Sequence, residues 1–263
     1  MIPIEPLPWA CGKVAGVEAF NTLRGTVDPA DPYSQYSLCD YRNDSPERVA
    51  ATRSALCRQL GIGASRLVSP VQTHSACAAV VDEALLGLTP QEQRKRLSGV
   101  DALVTRLSGV CIGVNTADCV NLVLVDPQAH IIGVAHGGWK GTAARIAAAT
   151  VRQMASLGAD PQHMLATMGA SICQDCFEVG DEVVEAFASH GFNIARIMRR
   201  NAATGKAHIS LRTATAITLT EAGVPAETIV NTHRCTRCHP ERYFSARRLG
   251  VDSGRVFTGI IMR

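Results

Sequence analysis

Between residues 101 and 135 the chain passes through four aliphatic segments, 102–105, 110–115, 122–126 and 131–135. Their connectors, 106–109, 116–121 and 127–130, are too short to hold crossover helices. A parallel, doubly wound nucleotide fold is therefore not expected, and antiparallel or mixed pairing is. Helices are predicted around this run, over 48–60, 143–157, 180–189 and 210–222. The first is the best marked: Ser45 suits the N-cap, Pro46 the first turn, Glu47 the positive end and Gly61 the stop. Shorter apolar runs at 67–71, 76–82 and 164–168, and the closing GRVFTGIIM, read as strands. The charged stretch 88–99 reads as a solvated helical or loop insertion. At 263 residues, 46% of them hydrophobic and 19% charged, the chain can bury a substantial core. No repeat or low-complexity linker divides it, so one mixed α/β domain over 1–263 is expected.

The formal charge of +3 is spread along the chain. It gives no reason to expect a nucleic-acid partner, and it does not repel a small anionic substrate. No apolar run approaches the ~20 residues of a spanning helix, so no membrane association is expected. The opening MIPIEPLPWACGKVAG lacks a basic segment followed by an apolar one, and the cytoplasm is the expected location.

Ten cysteines are too sparse for a disulfide-stapled miniprotein. Cys57, Cys77 and Cys111 lie among apolar residues and read as buried, inert thiols. Cys173 with Cys176, and Cys235 with Cys238, have CxxC spacing. If the pairs converged they could bind structural zinc or act as redox pairs. Neither is followed by a glycine-rich knuckle, which argues against a four-cysteine zinc site.

Three segments each place a soft ligand beside a turn or strand end: His74 in QTHS, Cys119 in TADC and His136 in HGGWKG. One thiolate and two imidazoles suit zinc and leave a fourth position for water or substrate. The same residues also fit a cysteine hydrolase, with Cys119 as nucleophile, a histidine as base and Asp118 or the HGG backbone as orienting elements. Core roles for the thiol and the imidazoles stay open as well. The second histidine favours the metal.

The ordered set VQTHS, DALVT, GVNTADCVNLVLVD, VAHGGWKGT, GASICQDCFEVGDEV and CTRC…YFSARR…GR closely resembles the multicopper polyphenol oxidase (laccase-like) family. That family is also described as purine nucleoside phosphorylases and adenosine deaminases. The resemblance spans the chain from about residue 36 onward, and TADC followed by HGGWKG is its specific part. It implies a four-layer α-β-β-α sandwich and a zinc site on His74, Cys119 and His136. It also implies phosphorolysis of adenosine, inosine, guanosine and methylthioadenosine with inorganic phosphate, beside adenosine deamination. Copper is the lesser expectation: a multicopper oxidase needs many histidines, often as HxH, and this chain has eight and no HxH pair.

Around the triple, Ser75, Arg53, Arg247 and Arg248 are candidates for substrate or phosphate contacts, the FSARR pair ahead of Arg53. Asp118 could orient a ligand and Trp139 could stack on a base. Cys176 and Cys235 stand where the family commonly carries cysteine. The chain departs from the family pattern at Ser37, Thr52, Asn121, Lys140, Ala170, Ser210 and Thr215. The ligand triple is intact, so an active enzyme is expected ahead of a catalytically silent binding protein.

Overall fold

The computed structural model describes residues 1–41 and 43–263. In chain order the strands are β1 (Ile4–Pro6), β2 (Val17–Thr22), β3 (Leu67–Val68), β4 (Ala78–Val80), β5 (Ala102–Thr105), β6 (Cys111–Thr116) and β7 (Val120–Asp126). They continue with β8 (Ile131–Gly137), β9 (Leu165–Met168), β10 (Glu178–Val179), β11 (Met198–Arg200), β12 (Ala207–Ile209), β13 (Ile229–Asn231) and β14 (Val256–Met262). A five-stranded sheet runs β1-β2-β14-β6-β3, and a six-stranded sheet runs β13-β9-β7-β8-β5-β4. The short connector 127–130 makes β7 and β8 an antiparallel pair as expected, but the connectors on either side of β6 instead carry the chain into the five-stranded sheet and back. Strand β5 pairs antiparallel with the other edge of β8, while the outer pairs β4–β5 and β9–β13 are parallel.

Side-chain alternation shows how these sheets stack. Along β7, Leu122 and Leu124 face one core while Val123 and Val125 face another. The second core is completed by Ile112 and Val114 of β6 and by Ile260 and Met262 of β14, so it lies between the two sheets. The first is covered by helices, chiefly α5 (Ile146–Ser156) and α8 (Leu211–Glu221). On the far face of the five-stranded sheet, Cys111, Phe257 and Ile261 pack on Leu56, Cys57 and Leu60 of α1 (Pro46–Leu60). The order is helix, sheet, sheet, helix, the α-β-β-α sandwich expected from the resemblance. None of the helices is long and apolar enough to cross a membrane among the described residues.

Helix α1 has the predicted ends: Ser45 accepts from the Arg48 N–H and Gly61 closes in the left-handed region, φ 66°. The 88–99 stretch contains a short helix, Pro90–Arg96, opened by a capping box between Thr89 and Glu92. Two features differ from expectation. The helix expected over 143–157 is broken at Arg145, φ 63°, into α4 (Trp139–Ala143) and α5. A small sheet, β10-β12-β11, was not legible because its strands are two or three residues long.

Candidate metal centre

One buried carboxylate organises the centre. Asp101 stands immediately before β5, and the pairing of Ala102 with Ala135 brings it beside His136 near the end of β8. Its backbone carbonyl accepts from the His136 N–H at 2.8 Å, and its Oδ1 lies 2.6 Å from His136 Nδ1. The same carboxylate accepts the backbone N–H groups of Thr73, His74 and Ser75 at 3.0, 3.1 and 2.8 Å. These bonds hold the turn in which His74 takes φ 65°, a left-handed conformation that needs such support in a non-glycine residue. An ionised carboxylate only accepts, so the His136 proton sits on Nδ1 and Nε2 is left to bind a metal.

Cys119 enters from the turn before β7, where Val120 pairs with Gly137. Its Sγ is 3.9 Å from His74 Nε2, and one ligand atom from each of His74, Cys119 and His136 lies within 4.8 Å of the others. The next turn of chain has to be bare. A Cβ on Gly138 would come 2.3 Å from His74 Cδ2 and 3.3 Å from Cys119 Sγ. Two imidazoles and a thiol converging over a glycine-cleared floor, one imidazole fixed through its outer nitrogen, is a donor set that fits zinc.

The electrostatics are those of a coupled pair. Burial pushes the Cys119 thiol up, but His136 beside it, with help from His74, outweighs burial and brings it down to about 6. Burial likewise pushes His136 down, and the Cys119 thiolate with the Asp101 hydrogen bond raise it to about 9. Burial also works against ionised Asp101, yet the His136 bond and the Ser75 and Thr73 N–H groups hold its carboxyl below the usual range. Both shifts favour thiolate and imidazolium when no metal is bound. His74, Cys119 and His136 would hold a cation with the imidazole neutral and the thiol ionised, and its charge would balance the Cys119 thiolate.

A cavity of about 160 Å³ opens above the three ligands, lined also by Tyr41, Gln72, Asn115 and Arg255. Gln72 is locked in place: its Nε2 donates to the Asn115 carbonyl at 2.8 Å, while its Oε1 accepts from the Asn115 N–H and the Tyr41 hydroxyl. Burial raises the Tyr41 phenol well above its ordinary value, so it stays protonated. The Asn115 side-chain amide is buried beside the Tyr41 hydroxyl, and neither its Nδ2 nor its Oδ1 is in a well-formed hydrogen bond among the described residues.

Residues 18–263 match the family model described as multi-copper polyphenol oxidoreductase laccase. The chain belongs to this family. Among curated relatives it is 56% identical over 260 residues to "Adenosine deaminase RL5" from an unknown prokaryotic organism, covering 99% of each chain. It is 37% identical over 249 residues to a purine nucleoside phosphorylase of Bacteroides thetaiotaomicron, covering 94% of this chain and 92% of the relative. Among solved structures, YlmD from Geobacillus stearothermophilus superimposes with a TM-score of 0.87 at 29% identity, over 100% of this chain and 98% of the other. Bacillus licheniformis YfiH gives 0.85 at 25% identity, over 94% and 93%. The chain is an enzyme, and it shares its mixed α/β fold with both structures.

In this family member the structure draws together only part of the residue set proposed from sequence. His74, Cys119 and His136 converge. Asp118, φ 85°, turns its carboxylate away from them: Oδ1 accepts from the Thr236 hydroxyl and Oδ2 from the Arg247 N–H, both at 2.6 Å. The Arg247 guanidinium donates to the Glu178 carbonyl at 2.9 Å and lies over the Phe177 ring. Arg248 lines a separate cavity with Arg24. Arg53 binds Ser69 and the Leu67 carbonyl beside a third cavity of about 600 Å³. The Ser75 hydroxyl donates to the Gly99 carbonyl at 2.7 Å, and Trp139 packs on the helix-covered core under Lys140. None of the seven departures from the family pattern lines the ligand cavity. Asn121 binds the Ala170 carbonyl, Ser210 caps α8 and Ser37 accepts from the Arg255 N–H.

Sequence reasoning passed over Asp101, Gln72 and Asn115. The available signal was polarity inside apolar strand sequence, GVDALVT and IGVNT, where a buried polar side chain needs a partner or a task. Cys77 is a correction: it is exposed, because it lies in the segment leading to the outermost strand β4, while Cys57 and Cys111 are buried as expected. The two CxxC pairs also differ from expectation, for the fold brings all four thiols together.

Proposed function

We propose that the chain is a zinc enzyme of purine nucleosides that joins phosphorolysis, yielding free base and ribose 1-phosphate, to adenosine deamination. The observation that carries the reading is the His74–Cys119–His136 triple, ordered by Asp101 and facing a cavity lined by the buried Asn115 amide. The names of the relatives supply the substrate class. Zinc is favoured over copper by the mixed imidazole–thiolate donor set. The only other ligand cluster among the described residues contains no histidine, so the several imidazole-rich centres of a multicopper oxidase have nowhere to form.

When bound, zinc supplies Lewis acidity at the cavity floor. The other parts of the mechanism belong to the chain. Asp101 keeps the His136 proton on Nδ1 and fixes the turn carrying His74. The Asn115 amide offers a donor and an acceptor, the pattern needed to read a purine edge. Arg255 places positive charge beside the cavity, where phosphate or a developing oxyanion is stabilised. Its own guanidinium is steadied by the Ser253, Gly254 and Val251 carbonyls. Phosphorolysis joins a phosphate oxygen to the anomeric carbon as the glycosidic C–N bond breaks, and the purine leaves with the electron pair and gains a proton. Deamination adds water at C6 and releases ammonia. At about 160 Å³ the cavity is smaller than the ~300 Å³ at the low end of small-molecule sites, so it takes the reacting part of the nucleoside while the remainder lies across the mouth. Asp118 acts as a positioning residue, tying the Cys119 turn to Thr236 and Arg247.

Chromatography of adenosine, inosine, guanosine and methylthioadenosine reactions, with and without phosphate, tests this. Free base that appears only with phosphate, and inosine formed from adenosine, are expected. Zinc-replete protein that turns over none of the four would overturn the reading. The convergence of the half-buried Cys119 thiol with two imidazoles, which favours its thiolate, supports one second reading, a cysteine hydrolase. That enzyme would keep its activity after thorough chelation, and the zinc enzyme would lose it.

A further inference from the structure

The cluster left unused by this chemistry is Cys173, Cys176, Cys235 and Cys238. We propose that these four thiols bind a second, structural zinc ion. One Sγ from each lies within 4.8 Å of the other three, and Cys176 Sγ is 3.5 Å from Cys238 Sγ. A tetrahedron with Zn–S of about 2.3 Å has edges of about 3.8 Å, so the thiols stand close to the required spacing. They converge on a common centre and do not separate into two bonded pairs. The spacing is also too tight for iron and sulfide ions to fit between them, which leaves a single ion.

The backbone is built for the site. Cys173 opens a single turn, with the N–H groups of Cys176 and Phe177 both donating to its carbonyl at 3.1 Å. Cys235 opens a matching turn, its carbonyl accepting from the His239 N–H at 3.1 Å. The two turns follow β9 and β13, parallel neighbours, and a bridge between Ser171 and Cys235 continues that pairing into the site. The Cys173 N–H donates to Cys235 Sγ at 3.3 Å, the kind of bond that stabilises a ligating thiolate. Four thiolates around Zn²⁺ leave two negative charges, and two arginines answer them. Arg237 reaches Cys176 Sγ at 3.5 Å. Arg212, buried, bonds Ser171 and the Arg234 carbonyl beside Cys173 and Cys235.

Each thiol gives its proton to solvent as it binds, and zinc changes no oxidation state. All four coordination positions are filled by protein, so the ion has a structural role. It staples the loop after β9 to the loop after β13. Thr236, within the second turn, then presents its hydroxyl to Asp118, next to Cys119. The clamp therefore supports the active-site turn without touching substrate.

The test is elemental analysis of the full chain purified without chelator, joined to the absorption spectrum after replacement with Co²⁺. Wild type should hold two ions per chain. Cys119→Ala should hold one, with the intense charge-transfer absorption of a four-thiolate site. The double variant Cys176→Ser/Cys238→Ser should hold one, with the weak absorption of a single thiolate. If that variant does not fold, Cys119→Ala alone carries the test, because intense thiolate-to-Co²⁺ charge transfer in it can arise only from the four cysteines and not from the remaining His74 and His136. A Cys119→Ala protein with no metal, or wild type whose Cys173–Cys238 set is found as disulfides, would overturn the proposal.

Discussion

Among the described residues the chain carries two clusters of soft ligands, and they differ in what is left open. At His74, Cys119 and His136 three ligands converge beneath a cavity, and an outer carboxylate fixes the geometry. At Cys173, Cys176, Cys235 and Cys238 the protein supplies a complete set, braced by backbone turns and arginines. An incomplete set invites a reactant, and a complete one excludes it. The two are joined through the Thr236–Asp118 hydrogen bond, so the closed cluster braces a loop beside the open one.

The sharpest way to break this division is at a ligand. His136→Ala should cut nucleoside turnover by roughly 10³ or more, about 4 kcal/mol of transition-state stabilisation, while the four-cysteine ion stays bound. Asp101→Asn should act one step removed. Loss of the carboxylate frees the His136 ring and the His74 turn, and zinc affinity at the open site should fall about 10- to 100-fold by competition with a chelating dye. Cys176→Ser/Cys238→Ser should reverse the pattern: the melting temperature drops by roughly 5–10 °C in a thermal scan, with turnover at 25 °C largely kept. Asn115→Ala should be milder, raising KM by about 5- to 10-fold for the loss of one base contact with less change in kcat.

The smallest effect concerns protonation. Lowering of the Cys119 thiol from 9.0 to about 6 contributes stability above its unfolded value, lost as pH falls through about 6. Raising of His136 from 6.5 to about 9 contributes stability below its unfolded value, lost as pH rises through about 9. Between these limits the slopes are opposite and cancel, since folding moves a proton from thiol to imidazole without net uptake. Stability of metal-free protein should therefore show almost no slope from this pair between pH 6.5 and 9. Alkylation of Cys119 should instead be thiolate-like down to a midpoint near pH 6, and added zinc should suppress it. A midpoint near 9 would remove the ion pair from the account.

The elements that local chemistry determines were legible in the sequence. Ser45 and Gly61 bound α1 as their side chain and φ require, and the short connector 127–130 forced the antiparallel β7–β8 pair, whereas the crossing of β6 to the other sheet was not legible. The ligand triple was legible because each member sits in a distinctive turn. What stayed hidden depends on contacts remote in sequence. Asp101 gains its meaning only when β5 and β8 pair and the His74 turn folds over it. The two CxxC turns meet because β9 and β13 are parallel neighbours, a register that no local spacing records. Arg247 and Arg248, adjacent in sequence and chosen together, diverge: one braces Asp118 through its backbone, and the other lines a different cavity.

The most direct measurement pairs zinc content with adenosine and inosine turnover in wild type, Cys119→Ala and Cys176→Ser/Cys238→Ser. The account predicts two ions and full activity, one ion and no activity, and one ion with activity retained. Activity that survives in Cys119→Ala with the open site empty would contradict it.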